Sequence, residues 1–277
     1  MTTQYDLHCH STASDGALKP AEVIQRALEM GVSSLALTDH DTTNGLAEAA
    51  TAADENNINL IPGIELSSTW ENKCFHIVGL NIDPTSPALV AGIQKQQLLR
   101  AERAKKIAMK LEKKRIPNTY EAVIKAANGG MITRAHFSSY LLSQNYASTQ
   151  QEAFDRYLGK GKPAFVSTVW ADLHDVINWI NQSGGVAVVA HPLRYKMTAS
   201  WMKRFLQFFK ESGGQGIEVI TGRSSADEIR RSINYANQFG LAASIGSDFH
   251  TPDNKWVELG RLAPLPANIK PVWELFQ

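Results

Sequence analysis

Six strand-like runs in this chain end in, or contain, a histidine or a carboxylate, and this recurrence constrains the fold more than any other feature. Gln4-Tyr5-Asp6-Leu7 leads into His8-Cys9-His10, with Asp15 on the loop that follows. Leu35-Ala36-Leu37 leads into Thr38-Asp39-His40-Asp41, and Leu60-Ile61-Pro62 leads into Gly63-Ile64-Glu65. His76 lies within Cys74-Phe75-His76-Ile77-Val78. Val186-Ala187-Val188-Val189 leads into Ala190-His191-Pro192, and Leu241-Ala242-Ala243-Ser244-Ile245 into Gly246-Ser247-Asp248-Phe249-His250. On an extended segment, residues i and i+2 share a face. His8 with His10, and Asp248 with His250, therefore each present a pair of side chains to one side. Metal binding needs such convergence, because each ligand sits about 2.0–2.2 Å from a shared ion. Scattered structural histidines have no reason to choose strand ends, so the pattern points to a polynuclear metal site.

The runs alternate with helical segments. Strands are expected over 4–9, 33–38, 58–65, 74–82, 185–190, 216–220 and 241–246. Pro20 to Met30 reads as an amphipathic helix opened by proline and closed by Gly31, and Asn44 is expected to cap a helix reaching Glu55. Further helices are expected near 172–183, 198–212 and 225–239. This β-α-β rhythm predicts a largely parallel sheet. The candidate ligands fall at strand ends, where parallel barrels build their sites from the following loops. Donors from at least five strands favour closure into a barrel over an open sheet.

The stretch from about 86 to 162 breaks the rhythm. It reads as a helical insertion, led by a helix over 94–115 and followed by segments near 119–127, 135–143 and 150–158. The flanking parts, 1–85 and 163–277, then form the metal-binding barrel. Arg100 and Arg103 are three apart on the first of these helices and share a face. Ile132-Thr133-Arg134-Ala135-His136 adds a cationic pair. Basic runs are commonly just solvated helix faces. The functional alternative is an electropositive lid in which Arg134, Arg100, Arg103 and His136 contact a phosphorylated substrate, since guanidinium forks match phosphate oxygens.

With 277 residues the chain can bury a large core, and 43% apolar with 20% charged residues is an ordinary soluble composition. A net charge of +1 argues against a broad nucleic-acid-coating surface. Cys9 and Cys74 are too few for a disulfide framework and suit a reducing compartment. Cys9 alternates with its histidine neighbours and is expected to point away from the metals; Cys74 is expected to be a packed thiol. No signal peptide or transmembrane run is read, so a cytoplasmic location is expected. His174, at a helix start, is expected on the surface.

The motifs His8-x-His10, Asp15, Thr38-Asp39-His40, Gly63-x-Glu65, His76, Ala190-His191-Pro192 and Asp248-x-His250 resemble the PHP (polymerase and histidinol phosphatase) superfamily. The opening Asp-Leu-His-Cys-His-Ser-Thr-Ala-Ser-Asp-Gly and the segment Ile132 to Phe137 look most like its branch of bacterial 3′,5′-nucleotide bisphosphate phosphatases and 5′-to-3′ exoribonucleases. The resemblance implies a distorted seven-stranded α/β barrel, (β/α)7, with a helical insertion and two to three divalent ions. It implies that His8, His10, Glu65 and Asp248 hold one ion, Asp15, His40 and His250 a second, and Glu65, His76 and His191 a third, with Glu65 bridging. Many family members carry histidine where this chain has Asp15, which makes that site richer in oxygen. Imidazole and carboxylate ligands without thiolate suit Mn²⁺, Zn²⁺ or Fe²⁺, and the branch favours Mn²⁺.

Clustered divalent ions lower the pKa of bound water and neutralise phosphate oxygens, so no protein nucleophile is required. Asp248, His250 and Glu65 are the expected catalytic residues, and either His136, His250 or a coordinated water is expected to protonate the leaving oxygen. The leading expectation is hydrolysis of the 3′-phosphate of a nucleoside 3′,5′-bisphosphate. The alternative is exonucleolytic cleavage of a short 5′-phosphorylated oligoribonucleotide. Amide hydrolysis is less favoured, because no lysine sits at a strand end to bridge two metals; a non-catalytic regulatory module is less favoured because the ligand set is complete.

Overall fold

The strand-like runs assemble into one sheet whose seven strands lie in chain order. The computed structural model describes residues 4–276. Its strands are β1 (Tyr5–Cys9), β2 (Ser34–Leu37), β3 (Asn59–Trp70), β4 (Lys73–Leu80), β5 (Val186–Val189), β6 (Gly216–Thr221) and β7 (Ala242–Gly246). The helices are α1 (Pro20–Glu29), α2 (Leu46–Asn56), α3 (Pro87–Glu112), α4 (Thr119–Ala127), α5 (Arg134–Ser143), α6 (Gln150–Ala153), α7 (Leu173–Gln182), α8 (Ala199–Glu211) and α9 (Ala226–Phe239).

The sheet curls until its last strand meets its first. Asp248 N donates to His8 O at 2.8 Å, and His10 N donates to Phe249 O at 2.9 Å. This nearly closed barrel is therefore stitched at the end that carries the histidines. The short strands are largely apolar because both faces are covered, with Asp6 and His8 on β1 and Glu218 on β6 as buried exceptions. On β5, Val186 and Val188 pack inside the barrel with Ala36, Ile61, Val78 and Leu80. Ala187 and Val189, on the opposite face, pack against the helices with Ile24, Leu173 and Phe205.

The expectation of a largely parallel sheet needs correcting at β4. It pairs antiparallel with both β3 and β5, while the other pairs are parallel. The reason is the link between β3 and β4. Only Glu71 and Asn72 separate the strands, and both have positive φ, 43° and 60°. A two-residue turn of this hand joins only antiparallel strands. β3 also runs five residues past its expected end at 65, to Trp70, because the hairpin keeps its hydrogen bonds satisfied beyond the barrel rim.

Two further details differ. Gly45, not Asn44, occupies the cap position of α2, where a Cβ would lie 3.1 Å from both Asp39 Oδ2 and Pro20 Cγ. The helix expected over 94–115 starts earlier, at Pro87. Between β4 and β5, α3 to α6 bury an apolar cluster of their own, including Ile107, Leu111, Phe137 and Leu141. No helix among the described residues is long and apolar enough to cross a membrane.

Candidate metal centre and its cavity

Nine side chains from the loops and strands at the stitched end of the barrel converge in one cluster with Glu65 at its centre. This residue, 1% exposed, sits on β3 opposite Val78 of β4. Its Oε2 lies 3.4 Å from His8 Nε2, 3.3 Å from His10 Nε2 and 2.9 Å from His40 Nδ1. Its Oε1 lies 2.9 Å from His76 Nδ1 and 3.1 Å from His191 Nε2. Asp248 Oδ1 lies 3.5 Å from His8 Nε2 and 3.3 Å from His10 Nε2. Asp15 Oδ1 lies 3.4 Å from His250 Nε2, and its Oδ2 lies 3.9 Å from His40 Nε2. The structure thus brings together every expected ligand: His8, His10, Asp15, His40, Glu65, His76, His191, Asp248 and His250. His76 comes from the middle of antiparallel β4, not from a strand end.

The donor set fits divalent cations. Three overlapping groups have ligand atoms within 4.8 Å of one another: His10, Asp15, His40 and His250; His8, His10 and Glu65; His40, Glu65 and His76. His8 Nε2 and His10 Nε2 face each other at 3.2 Å. His191 Nδ1 is buried without a hydrogen-bond partner, and Glu65 Oε2 and His40 Nδ1, though 2.9 Å apart, are not aligned for a hydrogen bond. Buried polar atoms left unpaired cost roughly 1–3 kcal/mol each, so several in one cluster mark a place built for something else. Burial pushes the Asp15, Glu65 and Asp248 carboxyls up, but the surrounding histidines outweigh it and hold all three well below the usual range. Burial, with a smaller push from His10, outweighs the carboxylates of Glu65 and Asp15 and takes His40 down to about 4.

Two of these residues sit on unfavourable backbone. Asp248 has φ 57° and His191 φ 30°. Such conformations cost on the order of 1–3 kcal/mol and persist only where neighbours over-determine them. For His191 the neighbour is Glu218, whose Oε2 accepts the His191 N–H at 2.5 Å.

A cavity of about 400 Å³ opens onto this cluster. Asp15, His40 and His76 form its floor, and Arg100, Arg103, Arg134, Lys73 and Lys160 stand around it with Phe154 and Trp170. Arg103 and Arg134 have no ion-pair partner among the described residues, and Arg103 Nε is buried without a hydrogen bond. Burial, together with Arg134 and Arg100 nearby, pushes the Arg103 guanidinium down to about 9. Arg100 differs. Its Nε donates to Asp41 Oδ2 at 2.5 Å and its Nη2 to Ser67 Oγ at 3.0 Å, with both partners buried. His136 is not among the lining residues; its Nδ1 accepts the Thr133 N–H at 3.2 Å and caps α5. Cys74 is exposed at the cavity wall, so the expected packed thiol is corrected: the β-hairpin carries it past the barrel rim. Cys9 is fully buried on the helix side, away from the cluster, and His174 is exposed.

A model of the PHP domain matches residues 6–222. The chain belongs to the PHP domain family. Its PHP relatives include a protein of Haemophilus influenzae named 5′-3′ exoribonuclease, 48% identical over 276 residues, which spans 100% of both chains. A second relative, of Chromobacterium violaceum, is named 3′,5′-nucleoside bisphosphate phosphatase; it is 43% identical over 269 residues, 97% of this chain and 94% of that protein. A solved structure from Chromobacterium violaceum, described as an amidohydrolase with bound sulfate, superposes on this PHP chain with a TM-score of 0.93 at 43% identity, covering 99% of this chain and 96% of that one.

Four residues that support this PHP site were not among the expected site residues, although two of them, Asp39 and Asp41, lie within Thr38-Asp39-His40-Asp41. Glu218 stands in the middle of apolar β6, and its Oε1 lies 2.6 Å from His8 Nδ1. It fixes the His8 ring so that Nε2 faces the cluster, as partners behind metal-binding histidines do. Arg194 pairs with Asp248 Oδ2. Asp39 holds the loop that carries Asp15, accepting Ser11 N at 2.8 Å and the Ser11 and Ser14 hydroxyls, each at 2.6 Å. Asp41 accepts Ser67 N at 2.8 Å and so ties the loop after β2 to β3.

Proposed function

We propose that this chain is a metal-dependent phosphoesterase that removes the 3′-phosphate of nucleoside 3′,5′-bisphosphates, giving 5′-mononucleotides. The observation that carries the reading is the cavity. Mutually repelling arginines, Arg103 and Arg134, face a donor cluster across a space within the roughly 300–1,000 Å³ of small-molecule sites. Cations held over aromatic rings, Arg103 over Trp170 and Arg134 over Phe154, with no acidic partner beside a metal centre, call for an anionic substrate with a second anionic group.

His8, His10, Glu65 and Asp248 would hold one ion, Asp15, His40 and His250 a second, and Glu65, His76 and His191 a third. Nitrogen and oxygen donors without thiolate suit Mn²⁺, with Zn²⁺ or Fe²⁺ as alternatives. Bound ions supply Lewis acidity and activate water at neutral pH. The chain's own groups do the rest. Arg103 and Arg134 hold the phosphate that does not react. Arg194 holds the outer oxygen of Asp248. The half-buried His250 stays a ligand, its Nε2 3.4 Å from Asp15 Oδ1 and its Nδ1 2.9 Å from the Asp248 main-chain oxygen. The segment 86–162 serves as the lid that brings the arginines over the barrel. Both thiols are free, which fits a reducing, cytoplasmic setting.

Exonucleolytic cleavage of short 5′-phosphorylated RNA is a second reading, favoured by the name of the Haemophilus influenzae relative. The deciding experiment gives the Mn²⁺-loaded protein a nucleoside 3′,5′-bisphosphate, a 5′-mononucleotide and a 5′-phosphorylated RNA. Phosphate release should be faster from the bisphosphate than from the mononucleotide. Equal rates on those two, or amide cleavage without phosphate release, overturn the proposal.

A further inference from the structure

We propose that the loops after β6 and β7 form the path of a single-stranded RNA downstream of the reacting phosphate, with Arg223 taking the next phosphate and the Trp256 indole a base. The proposal rests on the phosphoesterase reading above and extends it to a second subsite. A smaller cleft, of about 180 Å³, is lined by His191, Arg194, Thr221, Arg223 and Ser224. The main cavity takes its floor from the loops after β1 and β2 and from the β3–β4 hairpin, whereas this cleft is built on the loops after β5 and β6. Because the strands follow one another around the barrel in chain order, the two openings lie on different flanks of the donor cluster. His191 belongs to both the cluster and the cleft, so the cleft starts at the donor atoms.

Beyond the cleft the wall continues onto the loop after β7. A Cβ on Gly222 would lie 3.0 Å from Val257 Cγ1 and 2.5 Å from Ser247 O, so the two loops are in direct contact. Next to Val257 stands Trp256, 76% exposed, the most exposed of the large apolar side chains described. Arg223 and Lys255 are exposed, and Arg223 has no ion-pair partner among the described residues. The two acids that line the cleft, Glu218 and Glu228, are already engaged, while Asp253 stands exposed on the loop after β7. Glu228 accepts Ser225 N at 2.8 Å and Ser225 Oγ at 2.9 Å, and Glu218 is held by His8 and the His191 N–H. An exposed indole next to Lys255 in the chain, on a loop that touches the one carrying Arg223, offers the stacking face and the cations with which proteins grip unpaired bases and their backbone.

The chemistry explains why one site would need both openings. In a bisphosphate and in a 5′-phosphorylated RNA the bond broken is the same, phosphorus to O3′ of the first nucleotide. The oxygen of water bonds to phosphorus, the P–O3′ bond breaks, and O3′ takes up a proton. From the bisphosphate the product is inorganic phosphate. In RNA one further phosphate oxygen is esterified to the next nucleoside, and the product is a chain one nucleotide shorter with a 5′-phosphate. With the first nucleotide in the main cavity, the rest of the chain has to leave the cluster by the other flank.

The test compares Trp256→Ala, Arg223→Ala and Arg223→Lys with the parent protein, each loaded with Mn²⁺. Neither residue lines the main cavity. Thermal midpoints check that the fold survives. On a 5′-phosphorylated RNA tetramer, Trp256→Ala should lower kcat/KM by about 5- to 150-fold, the range expected for one lost base stack. Arg223→Ala should also lower it, with partial rescue by lysine, while the nucleoside bisphosphate should be hydrolysed at the parent rate. Equal losses on both substrates, or no loss on either, overturn the path. So does a parent protein that hydrolyses the bisphosphate and leaves RNA intact. A parent inactive on both would instead overturn the phosphoesterase reading, and the path with it.

Discussion

Arg100 separates a substrate-gripping arginine from a structural one, and the structure makes the outcome calculable. The side chain is 4% exposed and its partner Asp41 is 0% exposed. Replacing Arg100 by alanine leaves the Asp41 carboxylate buried with Ser67 N at 2.8 Å, Ser67 Oγ at 3.0 Å and Gln96 Nε2 at 3.4 Å, but with no cation. Removing one member of a buried ion pair costs about 3–5 kcal/mol. The remaining donors place Arg100→Ala near the lower end. Loss of the guanidinium over the Trp170 ring, 5.2 Å from its centroid, moves it back up. For a chain of this size each kcal/mol lowers Tm by about 2 °C, so a fall of about 6–10 °C is expected. Urea denaturation followed by tryptophan fluorescence gives the same quantity independently. Because the damage is an unpaired charge, Arg100→Met combined with Asp41→Asn should lose less than the two single changes added. A normal denaturation midpoint for Arg100→Ala, with a large loss of kcat/KM on the bisphosphate, would refute this. It would show that the guanidinium serves the substrate and not Asp41.

Arg134 should behave in the opposite way. Arg134→Ala should keep its midpoint and lose about 10- to 150-fold in kcat/KM on the bisphosphate, the worth of one charge-assisted contact of about 1.5–3 kcal/mol; the loss on an aryl phosphate, which has no second phosphate, should be much smaller. Glu218→Gln keeps the shape but removes the charge behind His8 Nδ1, so metal affinity, read by competition with a chelating dye, should fall about 10- to 100-fold. Chelation of the loaded protein should lower its thermal midpoint, because ions present at about 100 times their Kd stabilise the fold by about 2.7 kcal/mol; an unchanged midpoint after verified metal loss would mean that the cluster holds its shape without ions.

The strands and the nine converging residues were legible because each signal is local. An apolar run ending in His8-x-His10 or Asp248-x-His250 states its own geometry through the two-residue period of a strand. The β4 reversal was also written locally, in the two residues Glu71-Asn72, yet apolar runs read alike in parallel and antiparallel pairs. What escaped was every arrangement decided by partners far along the chain. Arg100 and Arg103 are neighbours on one helix face, but Asp41 takes the first and leaves the second unpaired. Nothing within either segment announces that pairing. Glu218 is the plainest case, a lone acid in Gly-Ile-Glu-Val-Ile-Thr with no motif around it.

That one acid also shows how the barrel turns a sequence motif into a working geometry. His8 and His191 come from strands β1 and β5, which are not neighbours in the sheet. Glu218 touches both, the His8 ring through one oxygen and the His191 main chain through the other. The second contact holds His191 at its positive φ, and the first fixes which His8 nitrogen faces Glu65. Asp248 is treated in the same way, with its main-chain N–H bonded to His8 O and its outer carboxylate oxygen paired with Arg194. The donor atoms are therefore set by hydrogen bonds and charges that themselves take no part in binding an ion. It follows that the affinity of the centre depends on residues outside the motif, and that a chain carrying every motif residue but lacking the acid on β6 would present His8 with its ring orientation unspecified and His191 without the acceptor of its main-chain N–H.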